Sequence, residues 1–389
     1  MAYKVIYVGG FSSDERGAIG THTAGILRAL DEIPDVQVIG IFYSFSLPFY
    51  LPAKSLLFDS RRPNSAIGKI INIVNFATFV NRVIKDEMPD LIYSRFDPFS
   101  SIFFRNKRCS KFVIEYNDVF ADQIQIRLQR GDWGFVGKMV RSSITYRLFL
   151  RYSEAKTFRR SDVVACVTEG LAQYCSSVSP STKCVVILNA SNAKPSSAFN
   201  PLPPCDTNQL VISHVGTLTY WDGLEELLDA LVLAKSKNKD FRFILNIVGS
   251  GSLQAVLEDK VRNLGLSEYT VFTPPVPHRE ALKVLEQTDV VPLLKTISSY
   301  GLSPIKFYES LAMGCFVIAS NIRHINEAPN YAVKTVSIPL DTNEIADAFI
   351  TAYERRDQIR LSKQQIKNYA FRYHTWDARV TQLLEVLRD

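Results

Sequence analysis

The chain has 389 residues, of which 47% are hydrophobic and 22% are charged, and its formal net charge is +6. This length is too great for one ordinary core and predicts two domains, and the composition is typical of a soluble globular protein. No apolar run reaches the ~20 residues of a membrane-spanning helix, and the N-terminus lacks the layout of a signal peptide. The six cysteines have neither CxxC spacing nor a neighbouring histidine cluster, which excludes a zinc site and predicts reduced thiols in a cytoplasmic protein.

Strand patterns alternate with helix patterns through the first half of the chain. The predicted strands are "YKVIYVGG" (3–10), "VQVIGIFY" (36–43), "DLIYSR" (90–95), "KFVIEYND" (111–118), "DVVACVTEG" (162–170) and "KCVVILNA" (183–190). The helical pattern "GTHTAGILRALDEI" (20–33) follows the first of them. Apolar runs this continuous are typical of a parallel sheet that is covered on both faces, so we predict a first α/β domain over residues 1–195.

The second half repeats the same scheme. Its predicted strands are "LVISHVGTL" (210–218), "RFILNIVGSG" (242–251), "YTVFTP" (269–274), "DVVPLL" (289–294) and "CFVIAS" (315–320). Its predicted helices are "GLEELLDALVLAKSK" (223–237), "SLQAVLEDKVRNLG" (252–265), "HREALKVLEQ" (278–287) and "PIKFYESLAMG" (304–314). Two successive arrays of this kind predict two doubly wound, Rossmann-like domains, the second over residues 196–374.

The two arrays are separated by residues 192–209, a stretch rich in Pro, Ser and Asn that we interpret as the interdomain linker. The last segment, residues 371–389, has the pattern of an amphipathic helix. The sequence leaves open which domain this helix closes, and residues 375–389 are candidates to pack back on the first domain.

The stretch "YGLSPIKFYESLAMGCFVIAS", residues 300–320, carries the strongest functional pattern in the chain. Ser303 fits a helix N-cap and Pro304 fits the first helical position, so Gly301 and Leu302 would present free N–H groups beside a helix dipole. Lys306 lies one turn further and could reach the same anion. The alternative is a capped surface helix whose Lys306 and Glu309 form an ordinary salt bridge.

The order and spacing of the second-half segments resemble the C-terminal domain of the GT-B glycosyltransferases of group 1, a family of retaining enzymes. The resemblance covers most of residues 210–330 and implies two Rossmann-like domains that face each other across a cleft. It implies that this domain binds a nucleoside-diphosphate sugar, with Glu309 on the ribose. The loop Gly301, Leu302 and Ser303 would offer backbone amides to the diphosphate.

The sequence departs from the family pattern at three positions. The family has another Glu eight residues before Glu309, where Gly301 stands here. A basic pair holds the diphosphate in the family, whereas Thr217 and Asp222 occupy those positions. We therefore expect Lys306 to replace the missing pair, as part of an "SPxK" variant of the donor loop.

Further donor-site residues come from glycine-bearing turns that follow predicted strands. By the resemblance they are Gly20, Thr21, Gly216, Thr217, Gly249, Gly251, Pro275 and Val276. Each of these turns also has a purely structural interpretation, because turns between strands and helices use glycine and proline for geometry alone. His22, two residues after Gly20, is either an acceptor-side base or a structural histidine early in a helix.

Polar residues also follow two strands of the first half, where the carboxyl ends of parallel strands meet. The pairs Tyr93 and Arg95, and Glu115 and Asn117, resemble those of a subset of group-1 enzymes that build bacterial surface polysaccharides. The resemblance places them on the acceptor side, and Glu115 would orient the acceptor hydroxyl or accept its proton. A carboxylate that only caps the loop is the structural alternative.

The resemblance implies a retaining transfer from a UDP- or GDP-sugar to a glycan or polyprenyl-linked acceptor, without a cofactor. The chain contains no Asp-x-Asp motif, so we expect no metal requirement. Two alternatives stay open: a nucleotide-sugar epimerase of the same fold, and a degenerate partner subunit that no longer turns over.

Charge is uneven along the chain, because residues 1–200 carry a net charge of +8 and residues 201–389 carry −2. Residues 61–85 and 136–160 mix basic with apolar side chains at helical spacing. We expect weak contact with the inner face of the plasma membrane, although two helices packed on the sheet would give the same pattern. The basic residues are dispersed and no nucleic-acid motif occurs, so nucleic-acid binding is not expected.

Overall fold

The computed structural model describes residues 3–9, 18–44, 50–59, 66–99, 101, 104, 111–120, 122, 143–193, 208–295 and 300–388. The chain forms two compact units, Met1–Leu188 together with Trp376–Asp389, and Asn189–Thr375. The change of unit at Leu188 lies seven residues before the expected boundary at 195. Most of the predicted linker, residues 194–207, lies outside the described residues, as does the loop at residues 10–17 before Gly20.

The elements follow one another as alternating strands and helices. The strands are β1 Tyr3–Val8, β2 Val36–Tyr43, β3 Lys54–Phe58, β4 Leu91–Arg95, β5 Lys111–Tyr116, β6 Val163–Cys166, β7 Lys183–Val186, β8 Leu210–Val215, β9 Phe243–Val248, β10 Thr270–Thr273, β11 Val290–Leu293, β12 Phe316–Ser320 and β13 Val333–Val336. The helices are α1 Ala18–Asp31, α2 Ala66–Glu87, α3 Ile144–Phe158, α4 Glu169–Val178, α5 Leu224–Lys237, α6 Gln254–Asn263, α7 His278–Glu286, α8 Ile305–Ala312, α9 Arg323–Asn326, α10 Thr342–Glu354, α11 Arg356–Tyr373 and α12 Trp376–Arg388.

Each unit is built on one parallel sheet. The first sheet has the order β3-β2-β1-β4-β5-β6-β7 and the second has the order β10-β9-β8-β11-β12-β13. In both sheets the chain starts near the middle, moves to one edge and then crosses to the other side. This is the doubly wound arrangement predicted from the sequence, and it brings the carboxyl ends of the central strands to one edge of each sheet.

The apolar runs of the strands form the cores, as their continuity predicts. Strand β1 is buried from Val5 to Val8, and β12 is buried along its whole length. In the second unit a core cluster of buried residues joins the strands to α5 and α10. Helix starts carry the expected caps where the chain supplies them, because Ser143 accepts a hydrogen bond from the Tyr146 N–H and Thr168 accepts one from the Leu171 N–H.

Two details of the sequence interpretation are wrong. The C-terminal segment is not one helix, because α11 ends at Tyr373 and α12 begins at Trp376. Ser303 is not the N-cap of α8, because the cap is Pro304 and the first helical residue is Ile305. Ser303 is instead buried, and its hydroxyl accepts a hydrogen bond from the Asn189 N–H at 2.9 Å.

The two basic amphipathic segments are helical where the structure describes them, as α2 and α3. Residues 123–142, which include the start of the second segment, lie outside the described residues. Within the described chain, no helix has the length and apolar character required to cross a membrane.

Candidate functional site

In the second unit, two strand-end turns pack backbone against backbone. Gly216 follows β8 and Gly249 follows β9, with φ angles of +136° and +133°. A Cβ on Gly249 would lie 2.0 Å from the Gly216 carbonyl oxygen, and a Cβ on Gly251 would lie 2.1 Å from that of Leu218. These positions therefore require glycine for the turns themselves, which gives Gly249 and Gly251 a structural reason independent of any ligand.

Lys306 lies directly over the first of these turns. A Cβ on Gly216 would be 2.4 Å from Lys306 Cε and 2.7 Å from its Nζ. The lysine reaches this place from the first turn of α8, so its ammonium group stands at the carboxyl edge of β8. Helix α8 and the turn after β8 thus bring Lys306 and Gly216 together, two residues that the sequence places in one donor site.

Asp222 and Lys295 complete a charged cluster around Lys306. The Lys306 ammonium lies 3.6 Å from Asp222 Oδ1, and Lys295 Nζ donates a hydrogen bond to the same oxygen. His214, at the end of β8, has its Nε2 3.5 Å from Lys306 Nζ. Lys295 was not predicted from the sequence, although it lies two residues after buried strand β11 and so follows the strand-end rule that selected Arg95 and Glu115.

The pKa values in this cluster reflect the competition between burial and charge. Burial and the neighbouring ammonium of Lys295 lower the pKa of Lys306 to about 8, against the opposing effect of Asp222. Burial would raise the pKa of Asp222, but Lys306 and Lys295 lower it below its usual range. Burial and Lys306 hold the pKa of His214 well below its usual value, so this imidazole is neutral at pH 7.

Glu309, the predicted ribose-binding residue, forms a contact with His278. The distance from His278 Nε2 to Glu309 Oε1 is 2.6 Å, and the side chains are 39% and 13% exposed. His278 is the first residue of α7 and follows the loop that contains Pro275 and Val276. The ribose candidate and the base-loop candidates are therefore linked through a histidine that the sequence analysis did not select.

The loop before α8 has a left-handed glycine, Gly301, at its start and is hydrogen-bonded to Asn189 at its end, Ser303. Gly301 has a φ angle of +80°, so the Glu that the family pattern has at this position would be strained here. Asn189 donates from its side-chain amide to the Ser303 carbonyl oxygen. Leu302 is half-buried between them, while Thr217, at the other predicted phosphate position, is exposed.

In the first unit, a buried carboxylate gathers the candidate acceptor-side residues. Tyr93 donates a hydrogen bond to Glu115 Oε2 at 2.5 Å, and His22 Nε2 lies 2.7 Å from the same oxygen. Asn117 donates to the other oxygen, Oε1. Arg95 is the β4 partner of Glu115 in the sheet register. The structure thus brings together four of these side chains, and the fifth, Arg95, lies on the adjacent strand.

The environment of Glu115 makes it a poor proton acceptor. Burial alone would raise its pKa, but the charge and hydrogen bond of His22, with the charge of Arg95, lower it to about 2. A general base works best with a pKa near the operating pH. Glu115 is therefore better suited to hold His22 and Asn117 in place than to accept a proton from an acceptor.

His22 is fixed from the other side by the C-terminal helix. The Trp376 ring meets the His22 ring edge to face, with centroids 4.6 Å apart. Both line a narrow pocket with Tyr93, Glu115 and Arg379. Gly20, which is buried, and Thr21 lie in the first turns of α1 just before His22. Trp376 could not have been found from the sequence, because no local pattern links it to residues some 350 positions earlier.

A metal site would require several acidic, cysteine or histidine side chains close together. Across the described ranges, no group of three or more such residues is arranged to hold a metal ion. The independence from metal that the sequence suggests stays a prediction.

Comparison with known proteins gives the fold a name. Residues 209–355 match the family model described as "Glycosyl transferases group 1". Sucrose-phosphate synthase from Thermosynechococcus elongatus superposes with a TM-score of 0.71 at 15% identity, over 99% of this chain and 98% of that one. This chain has the GT-B fold of glycosyltransferases.

Other GT-B structures agree over their full lengths. Anabaena HepE, solved in complex with UDP and glucose, gives a TM-score of 0.67 at 14% identity over 99% of both chains. WaaG, a glycosyltransferase involved in lipopolysaccharide biosynthesis, gives 0.66 at 12% identity over 97% of this chain and 98% of that one. At these identities the likeness concerns the fold.

A curated relative matches part of the chain. An uncharacterized glycosyltransferase of Methanocaldococcus jannaschii is 26% identical over 176 residues, which are 44% of this chain and 42% of that protein. The match thus spans less than half the length of this relative. The GT-B fold of the whole chain rests on the superpositions, and the match to the group-1 family model is confined to residues 209–355.

Proposed function

We propose that this protein is a glycosyltransferase that uses a nucleoside-diphosphate sugar as donor. The observation that carries the proposal is the position of Lys306 over Gly216 at the carboxyl edge of the second sheet. In doubly wound sheets this edge is where ligands bind. An ammonium group over a glycine turn, where backbone can approach closely, is suited to phosphate oxygens.

Several observations support a nucleotide at this edge. Residues 209–355, which match the group-1 glycosyltransferase model, include Gly216, Lys306 and Glu309. HepE, a structure with the same fold, was solved with UDP and with UDP-glucose. In our proposal Lys306 and the amides of residues 301–303 hold the diphosphate, Glu309 binds the ribose, and Pro275 and Val276 lie beside the base. UDP- and GDP-sugars are the proposed donors.

We propose that the buried cluster around Glu115 serves the acceptor side. Glu115 orients His22 and Asn117, and Tyr93 and Arg95 complete the polar edge of the first sheet. The protein would stabilise the charge of the leaving diphosphate rather than supply a strong base, which is consistent with the low pKa of Glu115. The transfer proceeds with retention and without a metal ion in this proposal.

The proposed acceptor is a lipid-linked or polysaccharide glycan in bacterial surface glycan synthesis. WaaG, which has the same fold, is involved in lipopolysaccharide biosynthesis. Helix α2 exposes Ile70, Ile71 and Val74 at 62%, 53% and 46% on one face, with the exposed Lys69 beside it. Such a face would suit weak contact with an anionic membrane at the cytoplasmic side. This part of the proposal is tested by flotation of the chain with anionic vesicles. We expect the chain to float with the vesicles at low salt and to be released at roughly 0.5 M salt, because salt screens the attraction between the charges.

The donor proposal is tested by the substitution Lys306→Ala. The purified chain is melted with a panel of UDP, GDP and their sugars in the presence of EDTA. A ligand at a hundredfold its dissociation constant stabilises the folded chain by ~2.7 kcal/mol, which gives a measurable rise in melting temperature. We expect the wild type to respond to nucleotides of one base and Lys306→Ala to lose the response.

The matched control is Lys237→Ala. Lys237 is the last residue of α5 and forms an ion pair with Asp347. The first residue of this helix, Leu224, lies next to the charged cluster, so Lys237 is about 20 Å away along the helix. It should melt and respond as the wild type does. An unchanged nucleotide response in Lys306→Ala would contradict the proposed donor site.

A further inference from the structure

One carboxylate in the second unit is shared by two lysines. Asp222 Oδ1 accepts a hydrogen bond from Lys295 Nζ, and Lys306 Nζ lies 3.6 Å from the same oxygen. Its other oxygen, Oδ2, accepts from the Thr219 hydroxyl. Asp222 and Lys295 are 6% and 9% exposed, so the pair is almost withdrawn from water. Buried charges of this kind are kept only where partners hold them.

Backbone contacts fix both members of the pair before any ligand arrives. The Lys295 N–H donates to Ser320 Oγ at 2.6 Å, and that hydroxyl donates to the Lys295 carbonyl at 2.9 Å. Asp222 ends a short 3₁₀ turn and is followed by Gly223, whose φ is +58°. A Cβ on Gly223 would lie 2.4 Å from the Leu294 carbonyl oxygen. The turn that carries Asp222 therefore packs directly on the segment that carries Lys295.

The charge of Lys306 depends on this pair. The groups that face it are His214 from β8, Asp222 from the 3₁₀ turn, Lys295 after β11 and Glu309 from its own helix. Burial and Lys295 disfavour its charged form, whereas Asp222 and Glu309 favour it. Asp222 and Lys295 thus act on the same ammonium group with opposite signs.

We propose that Asp222 and Lys295 are positioning residues of the phosphate site, which together fix the place and the charge of Lys306. The inference rests on the proposed donor function and goes beyond it, since neither residue needs to contact the ligand. The group-1 resemblance implies a basic residue at position 222. The aspartate found there then has a role of its own, which is to hold Lys306.

The inference is tested by replacing each member of the pair with a neutral residue of similar shape. Competitive acylation of amines, followed by mass spectrometry, gives the pH profile of Lys306 reactivity in the ligand-free chain. Asp222→Asn removes the carboxylate and should move the Lys306 profile to lower pH. Lys295→Met removes the repelling ammonium and should move it to higher pH. The double variant should return the profile toward that of the wild type and guards against misfolding of either single variant.

The pH dependence of nucleotide binding must rank the variants as the Lys306 profiles do, with Asp222→Asn lowest in pH and Lys295→Met highest. Lys306 is protonated below a pKa of about 8, so affinity for UDP or GDP should fall as the pH rises above this value. At pH 8 we expect Asp222→Asn to bind roughly fivefold more weakly than the wild type, because a drop of about one pKa unit lowers the protonated fraction of Lys306 from about one half to about one tenth. Lys295→Met should retain its affinity to a higher pH than the wild type.

Matched controls come from a surface ion pair of the same unit. Lys260 contacts Asp229 at 2.7 Å, and both are partly exposed. Asp229→Asn and Lys260→Met should move neither the profile nor the affinity. Profiles of Asp222→Asn and Lys295→Met that coincide with the wild type, or move in the same direction, would overturn the inference while leaving nucleotide binding by the wild type intact. A wild type that binds no nucleotide in the panel would overturn the proposed function and, with it, the inference.

Discussion

At the residue scale, Gly216 determines how closely a ligand and a lysine can approach the end of β8. Its φ of +136° is rarely adopted by residues with a side chain, and its missing Cβ is the space that Lys306 occupies. Gly216 is therefore needed both for the backbone conformation of the turn and for the space that the Lys306 side chain fills.

Replacing Gly216 by Ala should disrupt the site. The strained backbone costs on the order of 1–3 kcal/mol, and the new methyl group forces Lys306 out of its place. We expect a lower melting temperature and at least roughly tenfold weaker binding of the nucleoside diphosphate that the panel identifies, as the loss of one charge-assisted contact gives.

The matched control is Gly265→Ala. Gly265 also has a positive φ, +67°, but no atom lies within 4 Å of a Cβ added there. It should lose about 1–2 kcal/mol of stability and keep its nucleotide affinity. Equal affinities of Gly216→Ala and the wild type would show that Lys306 is not held by this turn.

Residue-level prediction from the sequence worked where a local rule applied. Polar residues at the carboxyl ends of β4 and β5 were expected to meet, and Tyr93 and Glu115 are hydrogen-bonded. Lys295 satisfies the same rule after β11 and could have been found by it. The contact of His278 with Glu309 could not, because it depends on how α7 and α8 are placed in space.

At the scale of elements, the contact between α1 and α12 shows how a distant helix completes the first unit. A Cβ on Gly25 would lie 2.2 Å from the Trp376 indole nitrogen. Gly25 therefore lets the indole ring approach the α1 backbone and meet His22. Helix α12 is close enough to α1 only because this position has no side chain.

Gly25→Ala should destabilise the chain, although Ala is the better helix former by about 1 kcal/mol. Overpacking of this kind costs roughly 1–3 kcal/mol, and each kcal/mol lowers the melting temperature of a unit of this size by about 2–4 °C. The substitution should also disturb His22 and with it the hydrogen-bonded cluster around Glu115 that we propose serves the acceptor.

The double variant Gly25→Ala with Trp376→Leu provides the control. In the Trp376→Leu background the added methyl group has room, so Gly25→Ala should be neutral or stabilising there. A double-mutant cycle in calorimetry measures this reversal of sign. Additive effects of the two substitutions would contradict the packing account.

The strands that the sequence interpretation missed are both at sheet edges. β3 and β13 are short, and each lies at the end of its sheet. Leu57 of β3 is 44% exposed, and β13, with the sequence Val-Lys-Thr-Val, has an exposed second position. Neither β3 nor β13 has a long apolar run, and neither is buried along its whole length, so their pattern is weak in the sequence. Central strands such as β12 were found because they are buried on both faces.

At the scale of the whole molecule, two sheets with the same winding account for the fold. The alternation of apolar strands with amphipathic helices is enough to predict this class, because parallel sheets require helices on both faces. The unit to which the last helix belongs was beyond such reasoning. An amphipathic pattern shows that one face of α12 is buried, but the partner face on α1 depends on Gly25 and Trp376.

The charged cluster of the second unit has a consequence for the alternative of a degenerate subunit. Asp222 stands where the resemblance implies a basic residue, which suggests loss of function. The structure instead places the ammonium groups of Lys295 and Lys306 at the same carboxylate oxygen of this aspartate, Oδ1. Two ammonium groups around one carboxylate leave the cluster with an excess of positive charge, which favours an anion site over a decayed one.

Donor turnover is the measurement that tests the account most directly. The full chain is incubated in EDTA with UDP- and GDP-sugars and a bacterial polyprenyl-lipid extract, and the released nucleoside diphosphate is quantified, with Lys306→Ala as the background. We expect the wild type to release one nucleoside diphosphate, well above that background. Binding of a nucleotide sugar without any release above the Lys306→Ala level would contradict the proposed transferase and identify the chain as a binding subunit.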